Sequence, residues 1–463
     1  MGEKTAMRVF LISSNVASTP YSVYPLGLSM IAASLKNAGH LVQQFDFLAS
    51  NRSLEALTGA IGEFKPEIIG ISIRNIDNVN LLNEQRYIDT VKNIVLEIRQ
   101  VSSVKIILGG SGFSIMPETI LEKVSADYGI VGEGEALIVD FINQARQGAY
   151  PRQKVIRSAP KLFLKQIPSA CYDANIMQFY LKSGNVASVQ TKRGCVHKCV
   201  YCSYPILEGQ NIRIRDTRAV VDDIGNLITN FGAKYIFFAD SVFNDEEGNY
   251  LKVLAEMKKR KINIPWTAFF KPQGLDDSAL ALMQGTGLKA AEIGADACSD
   301  TTLKKLGKSF LFKDITECNA LFAKYNIATA HYFMFGCPGE TEETVMEGIN
   351  NIKNLPKTAS FIFMGIRILP QTPLAQLAIK EGLIKPGQDL FEPVYYIAPG
   401  IDRKWLQETL TSAFKGIRNC VFPPDALDSS LAFLHKLGYS GSLWEMLIPG
   451  NAKRNRKKQN VQK

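Results

Sequence analysis

The sequence lacks long hydrophobic runs, a secretory leader and abundant cysteine. No apolar stretch reaches the ~18 residues that a membrane-spanning helix needs, so we expect no transmembrane segment. Only 8 cysteines occur in 463 residues, and the N-terminus leads through a short apolar run straight into a domain-like pattern. This composition disfavours the disulfide framework of small secreted proteins, and reduced thiols in a cytoplasmic protein are the expectation.

The charge balance is only weakly informative. The net charge is +9, but six of the positive charges lie in residues 452–463, which contain no acidic residue. Such a segment is typical of a disordered tail that can touch anionic lipid or nucleic acid, although it is more often a solvated terminus. A nucleic-acid partner is therefore not predicted. The length predicts two or three domains.

The N-terminal part alternates short apolar strands with helices. Continuous apolar strands separated by helices predict a parallel sheet covered on both faces, here a Rossmann-like doubly wound domain over residues 1–145. Ligands of such sheets bind at the carboxyl ends of the strands. No G-x-G-x-x-G motif opens the first helix, which disfavours a dinucleotide. The predicted strands are 7–13, 41–46, 66–73, 104–110 and 128–131, and the predicted helices are 26–38, 53–64 and 83–101.

The alternation pauses over residues 146–185, which we predict to be a linker, and resumes at Ala187. Residues 376–451 show mainly helical patterns with aromatic residues at core-like spacing, which predicts a helical cap. The six strands predicted after the linker are 188–191, 235–240, 264–270, 290–294, 328–335 and 361–368. The aromatic residues predicted to pack in the cap are Trp405, Phe414, Phe433 and Trp444.

Three cysteines, Cys195, Cys199 and Cys202, lie in one short loop with the spacing Cys-x3-Cys-x2-Cys. Three thiolates can hold one metal centre, yet they are one fewer than a structural zinc site or a conventional cubane cluster requires. A cluster on three thiolates keeps one iron open for a substrate or cofactor. Zinc is the alternative, with His197 as a fourth ligand, but His197 lies between two of the cysteines and no second Cys-x2-Cys pair follows.

This spacing, with Tyr201 just before the last cysteine, resembles the radical S-adenosylmethionine (radical SAM) superfamily. The resemblance implies a [4Fe-4S] cluster on Cys195, Cys199 and Cys202, whose open iron chelates SAM. One electron, from an external reductant of the flavodoxin or ferredoxin type, then cleaves SAM to a 5'-deoxyadenosyl radical. The resemblance also implies a partial (β/α)6 TIM barrel over residues 186–375, in which the carboxyl ends of the strands carry the chemistry.

Later strand ends resemble further motifs of the superfamily. The segment after the second barrel strand, at Asp240, takes the place that contacts the SAM amino group, although Asp and Ser are also common helix N-caps. Asp296 replaces a family glutamate that bonds ribose hydroxyls, and residues 335–341 resemble F-G-x-P-G-E-T. Arg367 would meet the SAM carboxylate or a substrate anion, or form an ion pair with a neighbouring strand. The residues assigned to SAM in this way are Asp240, Ser241, Asn244, Asp296, Ser299, Gly336, Pro338, Glu340 and Arg367.

The N-terminal segments YPLGLSMIAASLKNAGH, PEIIGISIRN, IILGGSGFS and YGIVGEGEA resemble the cobalamin-binding domain that precedes many radical SAM domains. Many such domains carry Asp-x-His-x-x-Gly, whose histidine ligates cobalt, but the only N-terminal histidine here, His40, lacks that context. Cobalamin would therefore bind without a motif histidine, or the domain would be only structural. The residues assigned to cobalamin are Ser72, Arg74, Gly109, Gly110, Ser111, Gly132, Glu133 and Gly134.

The combined resemblance implies radical methylation of an unactivated carbon in a small-molecule or lipid-like substrate, with methyl delivered by methylcobalamin. The alternative is a cyclase, ring-rearranging or oxidising enzyme of lipid, tetrapyrrole or secondary metabolism that moves no methyl. Methylthiolation of tRNA would need extra N-terminal cysteines, and the first cysteine is Cys171. A non-catalytic iron–sulfur or zinc module is a further alternative. Aromatic strand ends hint at a hydrophobic substrate, namely Phe269, Phe270, Phe333, Phe335 and Phe363.

Overall fold

A computed structural model describes residues 6–19, 21–157 and 167–448. Within these ranges the chain folds into two α/β layers of parallel strands, which confirms the predicted fold class. No helix of the described ranges is long and apolar enough to cross a membrane. The predicted basic tail, 452–463, lies outside the described residues.

The N-terminal sheet has six parallel strands in the order β2-β1-β3-β4-β5-β6. The strand order reverses direction between β1 and β3, and such switch points are where doubly wound sheets bind ligands. Its strands are β1 (Arg8–Ser13), β2 (Leu41–Asp46), β3 (Ile68–Ser72), β4 (Lys105–Gly109), β5 (Tyr128–Val131) and β6 (Val155–Arg157). Its helices are α1 (Leu26–Asn37), α2 (Leu54–Phe64), α3 (Ile88–Val101), α4 (Ser111–Ile115), α5 (Pro117–Val124) and α6 (Glu135–Ala145).

The segment 146–185 is more structured than the predicted linker. Strand β6 pairs with β5 and extends the N-terminal sheet, with Gly129 opposite Val155. Asp173 is the N-cap of helix α7 (Ala174–Lys182), and its carboxylate accepts hydrogen bonds from two backbone amides of the first turn. The Tyr180 hydroxyl of this helix donates to Asp46 of β2 at 3.0 Å. The segment therefore joins the two domains by direct contacts.

The second sheet has seven parallel strands in the order β17-β14-β13-β12-β11-β10-β7, so β7 and β17 form its two edges. This is an open barrel, as predicted, with the two-residue strand β17 in addition. Its strands are β7 (Ala187–Val189), β10 (Ile236–Phe238), β11 (Trp266–Phe270), β12 (Ala290–Asp296), β13 (Ala328–Phe335), β14 (Thr358–Met364) and β17 (Cys420–Val421). Two antiparallel strand pairs flank it. One is the hairpin of β8 (Lys192–Arg193) and β9 (Arg213–Ile214), and the other joins β15 (Ile366–Arg367) to β16 (Tyr395–Tyr396).

Helices follow most barrel strands and cover the outer face of the sheet. Those within the barrel are α8 (Tyr204–Leu207), α9 (Thr217–Thr229), α10 (Asn249–Lys259), α11 (Asp277–Thr286), α12 (Asp300–Lys305), α13 (Phe312–Lys324) and α14 (Glu342–Lys353). The C-terminal region contributes α15 (Pro373–Lys380), α16 (Arg403–Phe414) and α17 (Asp428–Lys436).

The C-terminal region closes the floor of the barrel. Trp444, in a short 3-10 turn, packs with Ala290, Ala330 and Phe361 near the beginnings of the strands. Of the aromatic residues predicted to pack, Trp444 and Phe414 are buried. Phe433 is 60% exposed, so that part of the prediction is wrong: α17 turns this side chain toward solvent.

One apolar core is shared by the two domains. A single cluster of buried side chains runs from Phe10 and Ile71 of the N-terminal sheet, through α3, to Phe335 of the barrel and Leu410 of α16. Burial of apolar area is the dominant favourable contribution to folding, so the two sheets stabilise each other. This packing sets the carboxyl ends of the N-terminal strands against the mouth of the barrel.

Candidate active site

A cavity of about 460 Å³ lies between the two domains. The N-terminal sheet contributes the ends of its strands, among them Ser13 and Ser72, and the barrel contributes Ser188, Phe237 and Phe269. Both folds bind ligands at the carboxyl ends of their strands. Neither domain alone forms this cavity.

The loops predicted to hold cobalamin all reach this cavity. Gly110 has a φ of +98°, and a Cβ there would lie 2.5 Å from the Ile73 carbonyl oxygen, so only glycine fits. Arg74 lines the cavity, and no carboxylate among the described residues pairs with it. No histidine of the described chain lines the cavity. The predicted residues found in its wall are Ser72, Arg74, Gly109, Gly110, Ser111, Gly132, Glu133 and Gly134.

The three cysteines lie in one loop, and Arg193 before them and Tyr204 after them line the cavity. Burial raises the pKa of Cys199 and raises the pKa of Cys202 to about 12, so both remain thiols at neutral pH until a metal displaces their protons. Three thiols in one loop suit an iron–sulfur cluster. Among the described residues, no group of three His, Cys, Asp or Glu side chains, the three cysteines included, is arranged around a single metal-ion position.

Backbone hydrogen bonds hold the cysteine loop on both sides. The Val200 amide donates to the Leu306 carbonyl at 3.0 Å, and the Val200 carbonyl accepts from the Leu374 amide at 2.9 Å. Gly307 lies so close that a Cβ there would be 2.6 Å from the Lys198 carbonyl oxygen. The loop between Cys199 and Cys202 is therefore fixed by the barrel before any cluster binds.

Asp240 organises the strand that leads into the cysteine loop. Its Oδ1 accepts from the Thr191 amide at 2.7 Å, and its Oδ2 accepts from the Thr191 hydroxyl at 2.5 Å. The Lys192 ammonium lies 3.4 Å from Asp240 and 3.1 Å from Asp245, and all three side chains are buried. Asp240 also lines the cavity. Both its oxygens therefore already have protein partners.

The neighbouring predicted residues are also engaged by the protein. Ser241 donates to the Gly194 carbonyl at 3.0 Å, next to Cys195. The Asn244 amide group donates to two carbonyls, and its oxygen accepts from the Lys271 amide at 2.9 Å. Asn244 therefore joins two barrel loops, a role that the sequence did not indicate.

Asp296 lies beside the cysteine loop. It accepts from the Tyr201 hydroxyl at 2.6 Å and pairs with the Lys308 ammonium. Its φ is +63°, in the left-handed region that non-glycine residues rarely adopt. Burial alone would lower the pKa of Lys308, but Asp296 and Cys199 raise it above its usual range. Lys192 and Lys308 were both missed from the sequence because nothing local marks a buried lysine.

The residues of the F-G-x-P-G-E-T-like segment form a tight turn. Glu340 accepts from the Gly336 amide and from the Cys337 amide at 2.8 Å, and Pro338 lies inside the turn. Burial raises the pKa of Glu340 to about 7, although the hydrogen bonds from the Cys337 and Gly336 amides act to lower this pKa. Ser299 caps helix α12 by accepting from the Thr302 amide at 3.3 Å. The turn and the cap hold adjacent strand ends in place.

Arg367 has a different role from the predicted SAM contact. Its Nε donates to Asp77 at 2.9 Å, and its other two nitrogens donate to the carbonyls of Ile368 and Leu390. All three nitrogens are thus used inside the protein. The alternative of an ion pair is the correct one, although its partner lies in the other domain rather than on a neighbouring strand.

Comparison with known proteins agrees with this geometry. Residues 12–142 match the model of the B12 binding domain, and residues 189–352 match the model of the Radical SAM superfamily. The chain is 23% identical over 447 residues to tryptophan 2-C-methyltransferase from Streptomyces laurentii, covering 80% of this chain and 74% of that protein. It is 23% identical over 368 residues to an anaerobic magnesium-protoporphyrin IX monomethyl ester cyclase from Rubrivivax gelatinosus, covering 74% and 64%.

A solved structure has the same fold over nearly the whole chain. The radical S-adenosylmethionine methyltransferase TsrM from Kitasatospora setae, solved with tryptophan substrate and a SAM analog, superposes with a TM-score of 0.85. The superposition covers 99% of this chain and 100% of TsrM at 20% identity. From the two matched domains, their order and the loop of three cysteines, we conclude that the chain belongs to the radical SAM enzymes that carry an N-terminal B12-binding domain.

Proposed function

We propose that the protein is a cobalamin-dependent radical SAM enzyme that transfers a methyl group to a carbon of a small molecule. The observation that carries this proposal is the cavity between the domains, which joins the strand ends of the B12-binding domain to the mouth of the radical SAM barrel. The cysteine loop flanks the same cavity through Arg193 and Tyr204. The cavity wall thus contains all the predicted cobalamin residues and, of the predicted SAM residues, Asp240.

Different residues would hold the two cofactors. Cys195, Cys199 and Cys202 would ligate the cluster, and the glycine loops of the N-terminal sheet would present backbone amides and hydroxyls to cobalamin. When bound, these groups supply one-electron cleavage of SAM and a cobalt that carries methyl. The packed strand ends around the cavity would hold the reacting partners in a fixed orientation.

The inner wall of the barrel indicates the kind of substrate. Phe237 and Phe269 line the cavity, and the Tyr332 ring lies 6.3 Å from that of Phe269. The Tyr332 hydroxyl donates to Glu292 at 2.8 Å, and neither residue is part of the cavity wall. From the two phenylalanine rings we infer a compact, partly aromatic substrate, for which tryptophan, the substrate of TsrM, is the first compound to try.

Four of the five predicted aromatic strand ends do not support this inference. Phe270, Phe333 and Phe335 are buried in the clusters behind the barrel wall. Phe363 is half-buried and packs on the cluster at the floor of the barrel. Of the five, only Phe269 lines the cavity.

The test is anaerobic reconstitution of the full chain with iron, sulfide and cobalamin, followed by SAM, reductant and a panel of substrates that includes tryptophan. We expect a product heavier by one CH2 unit and dependent on both cofactors. A product of unchanged or hydrogen-depleted mass would favour the cyclase or oxidase alternative, toward which the Rubrivivax relative points. We propose that the reaction takes place in the cytoplasm, with flavodoxin or ferredoxin as the electron donor. Absence of any SAM cleavage by the iron-loaded protein would refute the proposal.

A further inference from the structure

Two arginines and two glutamates connect the B12-binding domain to the cysteine loop. Arg193 and Arg213 lie directly opposite each other in the hairpin of β8 and β9, and this hairpin encloses the cysteines. Like charges in that position repel each other. Glu133 and Glu135 of the other domain compensate for this repulsion, and we call these four residues the interdomain clamp.

The clamp is buried and closely paired. Arg193 lies 2.5 Å from Glu135 and 3.6 Å from Glu133. Arg213 donates to both oxygens of Glu133, at 2.7 Å for one of them. The four side chains are between 5% and 18% exposed. Charge pairs withdrawn from water are screened little by salt, and removal of one partner leaves an uncompensated buried charge.

On one side the clamp is part of the cavity wall. Glu133 lies in the loop between β5 and α6, and Glu135 is the first residue of α6. The glycines of this loop, Gly132 and Gly134, line the cavity. Both arginines pair with the carboxylate of Glu133. The loop would therefore contact a ligand through its backbone rather than through this side chain. Any ligand that orders this loop therefore orders the clamp.

On the other side the clamp ends at the first cluster cysteine. Gly194 separates Arg193 from Cys195, and its amide donates to Glu208 at 3.0 Å. Gly194 has a φ of +94°, and a Cβ there would lie 2.1 Å from the Asn211 carbonyl oxygen. The Cys195 amide donates to the Gly209 carbonyl at 3.1 Å. Arg193 thus cannot move without moving Cys195.

We propose that Arg193 and Arg213 are positioning residues that couple occupancy of the cobalamin cavity to retention of the iron–sulfur cluster. Each cofactor favours the same closed clamp, so each strengthens the binding of the other. Thermodynamic linkage requires the two effects to be equal in size. This inference rests on the proposed function, because it takes the two cofactors from it.

The test compares the cobalamin Kd of cluster-loaded and cluster-free protein by absorbance titration of the full chain. In the unaltered protein we expect the cluster to tighten cobalamin binding by about fivefold or more. Glu135→Gln removes one charge of the pair, and Arg193→Lys keeps the charge but loses the forked donor geometry of the guanidinium. Both variants retain a hydrogen-bonding group, and we expect the ratio to fall toward one. Arg193→Met removes the pairing altogether, and the two conservative variants decide the question should it fail to fold.

Arg86→Met is the matched control. Arg86 also forms an ion pair between the domains, at 2.5 Å from Glu392, but it lies outside the cavity wall. We expect this variant to keep the unaltered ratio. A second measurement is iron release to a chelator, which cobalamin should slow in the control and not in the clamp variants.

The outcomes separate this inference from the proposed function. If the protein binds both cofactors but the Kd ratio is one without any substitution, or is unchanged in the clamp variants, the coupling is refuted and the proposed function stands. If no cobalamin binds, or no cluster forms, the proposed function itself fails.

Discussion

Arg367 and Asp77 form a 2.9 Å ion pair across the boundary between the two domains, and each side chain is only 2% exposed. Removal of one partner from such a pair leaves an uncompensated buried charge. We therefore expect Arg367→Met to lower the free energy of unfolding by about 3–5 kcal/mol, measured by denaturant titration. The double variant Asp77→Asn/Arg367→Met should recover much of the loss. A variant with normal stability and impaired SAM binding would instead support the original assignment of Arg367.

The cysteine loop makes a direct prediction about iron content. Substitution of Cys195, Cys199 or Cys202 by alanine should reduce reconstituted iron to background and abolish SAM cleavage, because thiolates are the ligands of such clusters. Cys171→Ala is the control, since its sulfur accepts only from Lys36, at 3.2 Å, outside the loop. Iron and sulfide assays give the readout. Full iron content in any of the three loop variants would contradict the ligand assignment.

Glu340 makes the stability of the protein depend on pH. Its folded pKa of about 7 lies above the ordinary value of 4.5, so the stabilisation is present below pH 4.5 and is lost as the pH rises to 7. At about 1.4 kcal/mol per pKa unit, this group accounts for about 3 kcal/mol.

Glu340→Gln should remove that part of the slope, because its amide oxygen accepts the same two amides and does not titrate. Glu342→Gln, at an exposed position two residues further on, is the matched control and should retain the slope. Unfolding free energies between pH 4.5 and 7 give the comparison. Parallel curves for the Glu340 variant and the unaltered protein would refute the raised pKa.

Gly110 should tolerate no side chain. Gly110→Ala places a Cβ 2.5 Å from the Ile73 carbonyl oxygen at a φ of +98°, so we expect a loss of about 2 kcal/mol or more and weaker cobalamin binding. Gly59→Ala is the control, because Gly59 lies within helix α2 with no atom within 4 Å of the added Cβ. That change should raise stability by about 0.5–1 kcal/mol. Equal effects at the two positions would contradict the structure.

The sequence predicted the regular elements well where apolar residues run continuously. The predicted bounds of β5 and β13 are those of the structure. Strands β6 and β17 were missed because two or three residues carry no periodic signal. Helix α3 begins at Ile88 rather than residue 83, since the preceding residues form a turn in which the Asn78 amide donates to the Gln85 carbonyl.

The candidate site was predicted unevenly for a similar reason. The cysteines and the cavity glycines lie in compact motifs, so their neighbours in sequence reveal them. The partners of side chains such as Arg367 lie far away in sequence, and Arg367 and Asp77 are 290 positions apart. No local pattern indicates such a contact. Such a buried ion pair forms only when distant parts of the chain come together in the folded protein.

The shared apolar core bears on how the protein can be divided. Side chains from Phe10 to Cys420 belong to one buried cluster, so the boundaries of the two matched domains are not boundaries of independent folding units. A fragment that ends near residue 145 would contain only the N-terminal part of this cluster. Each half would therefore be less stable without the other, and a truncated chain would lack part of the cavity wall.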